Sequence, residues 1–178
     1  PRVSIVSDDA TTWIPARNAL IATARELRKN GDLSSAIAKI VESLSSHPCD
    51  PELLFALGST CYEWKRYRDA DYYLRESGQH GLDHWVRYLQ QGWCAYFGGD
   101  LVGARELMRL ACATGPGEWQ PLYGAASIEM EKEDWPAACA LLEQALTCDA
   151  NNVAAISSLA RCLGKIDRFP EADAAARE

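Results

Sequence analysis

The chain has no stretch approaching the roughly 18 uninterrupted apolar residues that a membrane helix needs, so no membrane partner is expected. Residues Pro1 to Trp13 lack a basic start followed by an apolar core, and no secretory signal is read there. Histidine is scarce: only His47, His80 and His84 occur. The last two are four apart, a spacing that suits a metal on a helix. Gly81 and a helix cap read at Asp83 place them in a loop instead, and no glutamate follows in the zincin manner. No phosphate loop appears, because Gly115-Pro116-Gly117 reads as a turn. No nucleophile elbow sets a serine on a strained turn. The acidic pairs around Glu129, Glu131, Glu133 and Asp134 read as a solvated helix face. No catalytic residue, metal or cofactor is therefore expected, and the chain is not read as an enzyme.

Basic charge is also in deficit. A net charge of −7 argues against nucleic acid, whose phosphates demand a basic surface. The distribution is uneven, with Arg17, Arg25, Arg28 and Lys29 crowding one early helix and most acids lying later. Seven cysteines are present, but none forms a Cys-x-x-Cys pair and the number is odd. A disulfide framework would look different. Small apolar thiols at helix positions suit a reducing cytoplasm, which is the expected location.

What the chain does have is a period. Stepping by 34 from Ala36 meets Ala70, Ala104, Ala138 and Ala172. The same step from Ala24 meets Gly58, Gly92, Ala126 and Ala160, all small. Large residues recur in two further frames, through Leu33, Tyr67, Leu101, Trp135 and Phe169, and through Leu20, Leu54, Tyr88, Leu122 and Ile156. Small residues let two helix backbones approach, and large ones fill the space beside them. One such helix pair buries too little surface to stand alone, so stability must come from stacking pairs.

Cap chemistry agrees with the period. Asp50-Pro51-Glu52 reads as an N-cap, a first-turn proline and an acidic first turn. Asp32, Asp83, Asp100, Asp134 and Asp167 sit where other helices should start. Gly31 and Gly98-Gly99 sit where first helices should end, and Pro48 and Pro116 separate one pair from the next. No alternating strand pattern of useful length is present.

On these residues the chain resembles the tetratricopeptide (TPR) repeat family. The second unit carries Leu54, Leu57, Gly58, Tyr67, Ala70, Leu74 and Ser77; the fourth carries Leu122, Ala125, Ala126, Trp135, Ala138, Leu142 and Ala145. The resemblance covers residues 17–178. It implies an all-α fold, an α-α superhelix of about five helix–turn–helix repeats near 17–50, 51–84, 85–118, 119–152 and 153–178, with the last incomplete. Residues 1–16 are read as an arm or the end of a preceding element. Two positions depart from the pattern: Gln91 and Glu129 stand where apolar or aromatic residues are usual.

The resemblance further implies that the first helix of each unit lines a concave groove. Projecting that face gives a candidate peptide-binding set: Arg25, Phe55, Ser59, Tyr62, Leu89, Trp93, Tyr96, Phe97, Tyr123 and Ser127. Aromatic residues and arginine are the usual energetic centres of interfaces. The alternative for each aromatic is packing against the neighbouring helix. The lysine and asparagine positions of carboxylate-clamp TPRs hold Ile21, Arg25, Phe55 and Ser59, an incomplete clamp. The asparagine ladder of O-linked N-acetylglucosamine transferases is replaced by Ala22, Ala56, Gln90, Gly124 and Ser158. The expected function is binding of a peptide or helix of another protein. Alternatives are the docking domain of a larger enzyme, such as a bacterial glycosyltransferase or sulfotransferase, or a secretion-type chaperone. The incomplete fifth unit adds self-association as a possible partner mode and points to a chain that continues.

Overall fold

In a computed structural model, residues 10–166 are described. Among them every regular element is an α-helix: α1 (Ala10–Lys29), α2 (Leu33–Ser46), α3 (Pro51–Glu63), α4 (Tyr67–Gln79), α5 (Trp85–Phe97), α6 (Leu101–Thr114), α7 (Trp119–Glu131), α8 (Trp135–Cys148) and α9 (Val153–Ile166). The all-α expectation holds. The chain divides into two compact units, one ending at Leu82 and the other starting at Asp83. In the first, α1 pairs with α2 and α3 with α4, while α1 also packs on α3. In the second, α5 pairs with α6 and α7 with α8, α5 also packs on α7, and α9 packs on α8. The boundary drawn at residue 16 falls inside α1, whose Trp13 stacks on His47 with centroids 3.5 Å apart.

The small-residue frames lie in the helix contacts. Ala36, Ala70, Ala104 and Ala138 are each fully buried. Ala24, Gly58, Gly92 and Ala126 are buried opposite them. In the first unit a Cβ on Gly58 would sit 2.8 Å from Leu74 Cγ and 3.1 Å from the Leu74 backbone nitrogen. In the second unit Met108 of α6, fully buried, is threaded between two glycines. A Cβ on Gly92 of α5 would meet its Cε at 2.9 Å, and one on Gly124 of α7 its Sδ at 2.5 Å. Met108 is thereby confined on both sides. Ala160, in the same frame as Ala24, is exposed on α9. Phe169 and Ala172, at which the sequence frames continue, and the cap read at Asp167 lie outside the described residues.

The hairpin turns repeat as strictly as the core. Gly31, Lys65, Gly99 and Glu133, again spaced by 34, all have left-handed backbone, with φ of 80°, 60°, 83° and 60°. In each turn the next amide bonds back to the last turn of the first helix: Asp32 to Leu27, Arg66 to Cys61, Asp100 to Ala95 and Asp134 to Glu129, all at 2.9 Å. This is the Schellman closure, which satisfies carbonyls a helix end would otherwise orphan. Asp32, Asp100 and Asp134 then cap the second helices by accepting from Ser35, Gly103 and Ala137 amides. Asp50 caps α3 from both Glu52 and Leu53. One cap differs from expectation. His84, not Asp83, is the N-cap of α5, because its extended backbone turns Nδ1 toward the Val86 amide at 3.2 Å.

Three outcomes follow for stability, read from urea unfolding midpoints. Ala104→Arg overpacks the α5–α6 contact and costs at least about 1–3 kcal/mol. Gly124→Ala costs about 1–3 kcal/mol for the same reason. In a Met108→Ala background it becomes neutral or favourable, since the clash is gone and alanine is the better helix former by about 1 kcal/mol. Gly99→Ala meets no atom within 4 Å and loses about 1 kcal/mol through its backbone alone.

Candidate functional site

The residues projected onto first-helix faces divide between the two units. In the first unit, Arg25 is exposed on α1, and Phe55 and Tyr62 are half-buried on α3. Ser59 is buried at 3% exposure and offers little surface. Arg25, Arg28, Lys29 and Glu63 line a recess of about 260 Å³ at the ends of α1 and α3. Arg28 is bonded to Glu63, and Lys29 to Glu26 at 2.7 Å.

In the second unit the remaining residues lie on α5 and α7, with Leu89, Trp93 and Tyr96 against one core cluster and Tyr123 against another, beside Trp119. Leu89, Trp93, Tyr96, Tyr123 and Ser127 are half-buried, and Phe97 is 52% exposed. Trp93 and Tyr96 meet edge to face with centroids 5.5 Å apart. Phe97 stacks on Trp93 at 5.9 Å. Leu89, Trp93 and Tyr96 also pack against the core formed by Ala104, Met108 and Ile128. Packing against the neighbouring helix, the alternative weighed from sequence, therefore applies to Leu89, Trp93 and Tyr96, each of which also keeps part of its surface exposed. Ser127 turns inward on its own helix, its Oγ donating to the Tyr123 carbonyl at 2.9 Å.

Charged groups edge this aromatic cluster. The Tyr96 hydroxyl donates to Glu131 Oε2 at 3.3 Å, which ties the end of α5 to the end of α7. Burial, then the Glu131 charge and this hydrogen bond, pushes the Tyr96 phenol above its ordinary range. Arg161 of α9 reaches Met130 Sδ at 3.3 Å. Both departures from the repeat pattern proved to be buried ion or polar pairs. Gln91, 3% exposed, accepts from Arg87 Nη1 at 2.7 Å. Glu129, also 3% exposed, holds Arg105 of α6 at 2.6 Å and Lys132 at 2.8 Å. The reading of Glu129 as part of a solvated acidic face is overturned by its burial, and its partner Arg105 stands in none of the repeating frames.

No group of three or more metal-ligating side chains occurs among the described residues, and His80 and His84 flank the α4–α5 loop. No described helix is long and apolar enough to cross a membrane.

The hairpin geometry, the turn closure and the small-residue contacts define a tetratricopeptide-repeat fold. Solved structures agree. The chain is similar to pilF of Pseudomonas aeruginosa, with a TM-score of 0.78 at 16% identity, covering 87% of this chain and 71% of that one. It is similar to the first TPR of Spaghetti (RPAP3), solved bound to an HSP90 peptide, with a TM-score of 0.63 at 14% identity, covering 66% and 94%. Among curated proteins it is 30% identical over 175 residues to cellulose synthase operon protein C of Xanthomonas axonopodis pv. citri. That match takes in 93% of this chain but only 11% of the relative, so the chain spans about a tenth of that protein's length. No family model matches.

The Tyr96 phenol offers a direct check on this geometry. Its native pKa is raised, so the neutral form is favoured in the folded state. The associated stability is intact below the unfolded tyrosine value of about 10 and is lost as pH rises through the higher native value. A spectrophotometric titration, subtracting a Tyr96→Phe variant, should show this phenol ionising above the ordinary value. Glu131→Gln should move it back down.

Proposed function

We propose that the chain is a protein-binding module that holds a peptide or helix of a partner against the α5–α7 aromatic face. The observation carrying this reading is the Trp93–Tyr96–Phe97 cluster: ordered by mutual ring packing, anchored in the core on one side, and led by a half-exposed phenylalanine. Rigid aromatics that present area without needing to be ordered on binding are what interface centres use. The fold supports it as well, since repeat stacks of this type expose long side-chain-rich faces.

A second reading rests on the curated match. On that reading the chain serves as one docking segment of a longer protein similar to the cellulose synthase operon protein C. The partner-binding face is the same in both readings.

Phe97→Ala separates binding from folding, because Phe97 is the exposed member of the cluster. With a partner recovered by pull-down, Phe97→Ala should weaken binding by about tenfold or more, a loss of roughly 1.4 kcal/mol, at unchanged melting temperature. Trp93→Ala should weaken it further and also lower stability. Unchanged affinity in both variants with helicity intact would reject the face.

A further inference from the structure

Two of the seven cysteines meet across a helix contact in the second unit. Cys139 of α8 and Cys162 of α9 belong to one buried cluster with Ala138, Leu142 and Ala155. They are 7% and 0% exposed. Both are free thiols, and a side-chain hydrogen bond joins them. The small neighbours Ala138 and Ala155 let the two helices approach until short side chains touch. Bonded sulfurs sit about 2 Å apart, so a covalent link asks only for a further approach of groups already in contact.

The place of α9 decides what such a link would do. Among the described helices its main packing is on α8, while Val153, Ile156 and Leu163 are exposed along its outer face. A helix held on one face opens more easily than the whole unit unfolds. Opening carries Cys162 into solvent. With α9 closed, burial raises both thiols above their ordinary range. The Arg161 charge and the hydrogen bond from Cys139 bring Cys162 back only in part. Buried thiols of this kind are unreactive, so reaction belongs to the open state.

We propose that Cys139 and Cys162 are a redox modification site, forming a reversible disulfide by exchange with a small-molecule disulfide such as oxidised glutathione and so latching α9 onto α8. In the open state the Cys162 thiolate attacks one sulfur of the small disulfide, breaks its S–S bond and expels one half as a thiolate. The Cys139 thiolate then attacks the Cys162 sulfur of the mixed disulfide and expels the second half. Two protein thiols are oxidised to one S–S bond, the small disulfide is reduced to two thiols, and the two protons lost by the cysteines end on them. Excess thiol reverses both exchanges. The link forbids the local opening through which it formed, and it also restricts the unfolded chain. It thereby converts α9 from a helix that opens into one that is fixed.

The test uses the full chain in a Cys49→Ser, Cys148→Ser background. This removes both exposed thiols and, with Cys148, the thiol whose charge acts on Cys112. The protein is equilibrated with oxidised glutathione in urea below the unfolding transition, then digested. Mass spectrometry should show the Cys139 and Cys162 peptides joined, with the loss of two hydrogens. The melting temperature should rise by roughly 5 °C or more. Amide exchange in α9 should slow by about tenfold or more, and dithiothreitol should reverse both changes. Cys162→Ala and Cys139→Ala should each abolish the difference between oxidised and reduced protein, a comparison made within each variant and so independent of its own stability. The proposal is overturned if both cysteines stay reduced or carry only glutathione, or if either joins a different cysteine. It is overturned as well if the joined form melts no higher than the reduced form or exchanges its α9 amides as fast.

Discussion

Close approach of paired helices at side-chain-poor positions is the constraint on which the rest of this structure depends. Where Gly58 faces Leu74, and where Gly92 and Gly124 flank Met108, the missing Cβ atoms are what the partner side chain occupies. A helix interior glycine is costly in isolation, by about 1 kcal/mol relative to alanine. That cost is met here by packing that a larger residue would prevent. Once the backbones are this close, the large residues beside them have fixed neighbours. Leu74, Met108 and Leu142 are fully buried because the helices they bridge cannot part.

Most of this logic was legible in the chain. The alanine frame from Ala36 to Ala138 and the small frame from Ala24 to Ala126 mark helix contacts because close packing admits few residue types. The turns were legible for a related reason. Asp32, Asp100 and Asp134 recur because only three residues separate the first helix from the second, and the last of them must cap the second, which a carboxylate does well. At Lys65 and Glu133 the signal disappears although the geometry persists, with φ of 60° at both. Left-handed backbone there is imposed by the hairpin around it, so the local residue type no longer reports it. His84 shows the same in a cap: the backbone sets the acceptor position, and imidazole serves in place of the adjacent Asp83.

The candidate site was legible in direction but not in depth. Projecting the first-helix faces brings Leu89, Trp93, Tyr96 and Phe97 onto one stretch of α5, and they do lie together. Helical spacing says nothing about how far a neighbouring helix covers each residue. That coverage separates Phe97, half exposed, from Trp93, wedged against Ala104 and Met108, and from Ser59, buried outright. Glu129 and Arg105 failed to announce themselves as a pair for another reason. Their contact crosses from α6 to α7 and serves no position of the repeat, so no periodic signal links them.

A repeat of this kind constrains few positions and leaves the others free to differ from face to face. In the second unit the first helices spend that freedom on rings: Trp93, Tyr96 and Phe97 on α5 and Tyr123 on α7. The second helices turn a different chemistry outward, with Ala137 and Ala140 on α8 and arginines on α6. Glu129 stands between the two. It replaces a core residue, so its charge must be answered from within reach. The answer comes from an arginine on the neighbouring helix and a lysine one turn on, at 2.6 and 2.8 Å. One substitution in the core pattern thereby commits a cation of α6 and one at the end of α7 to the same carboxylate. Removing either cation would leave that buried carboxylate less compensated, so a single departure from the apolar pattern constrains two further positions that the repeat itself leaves free.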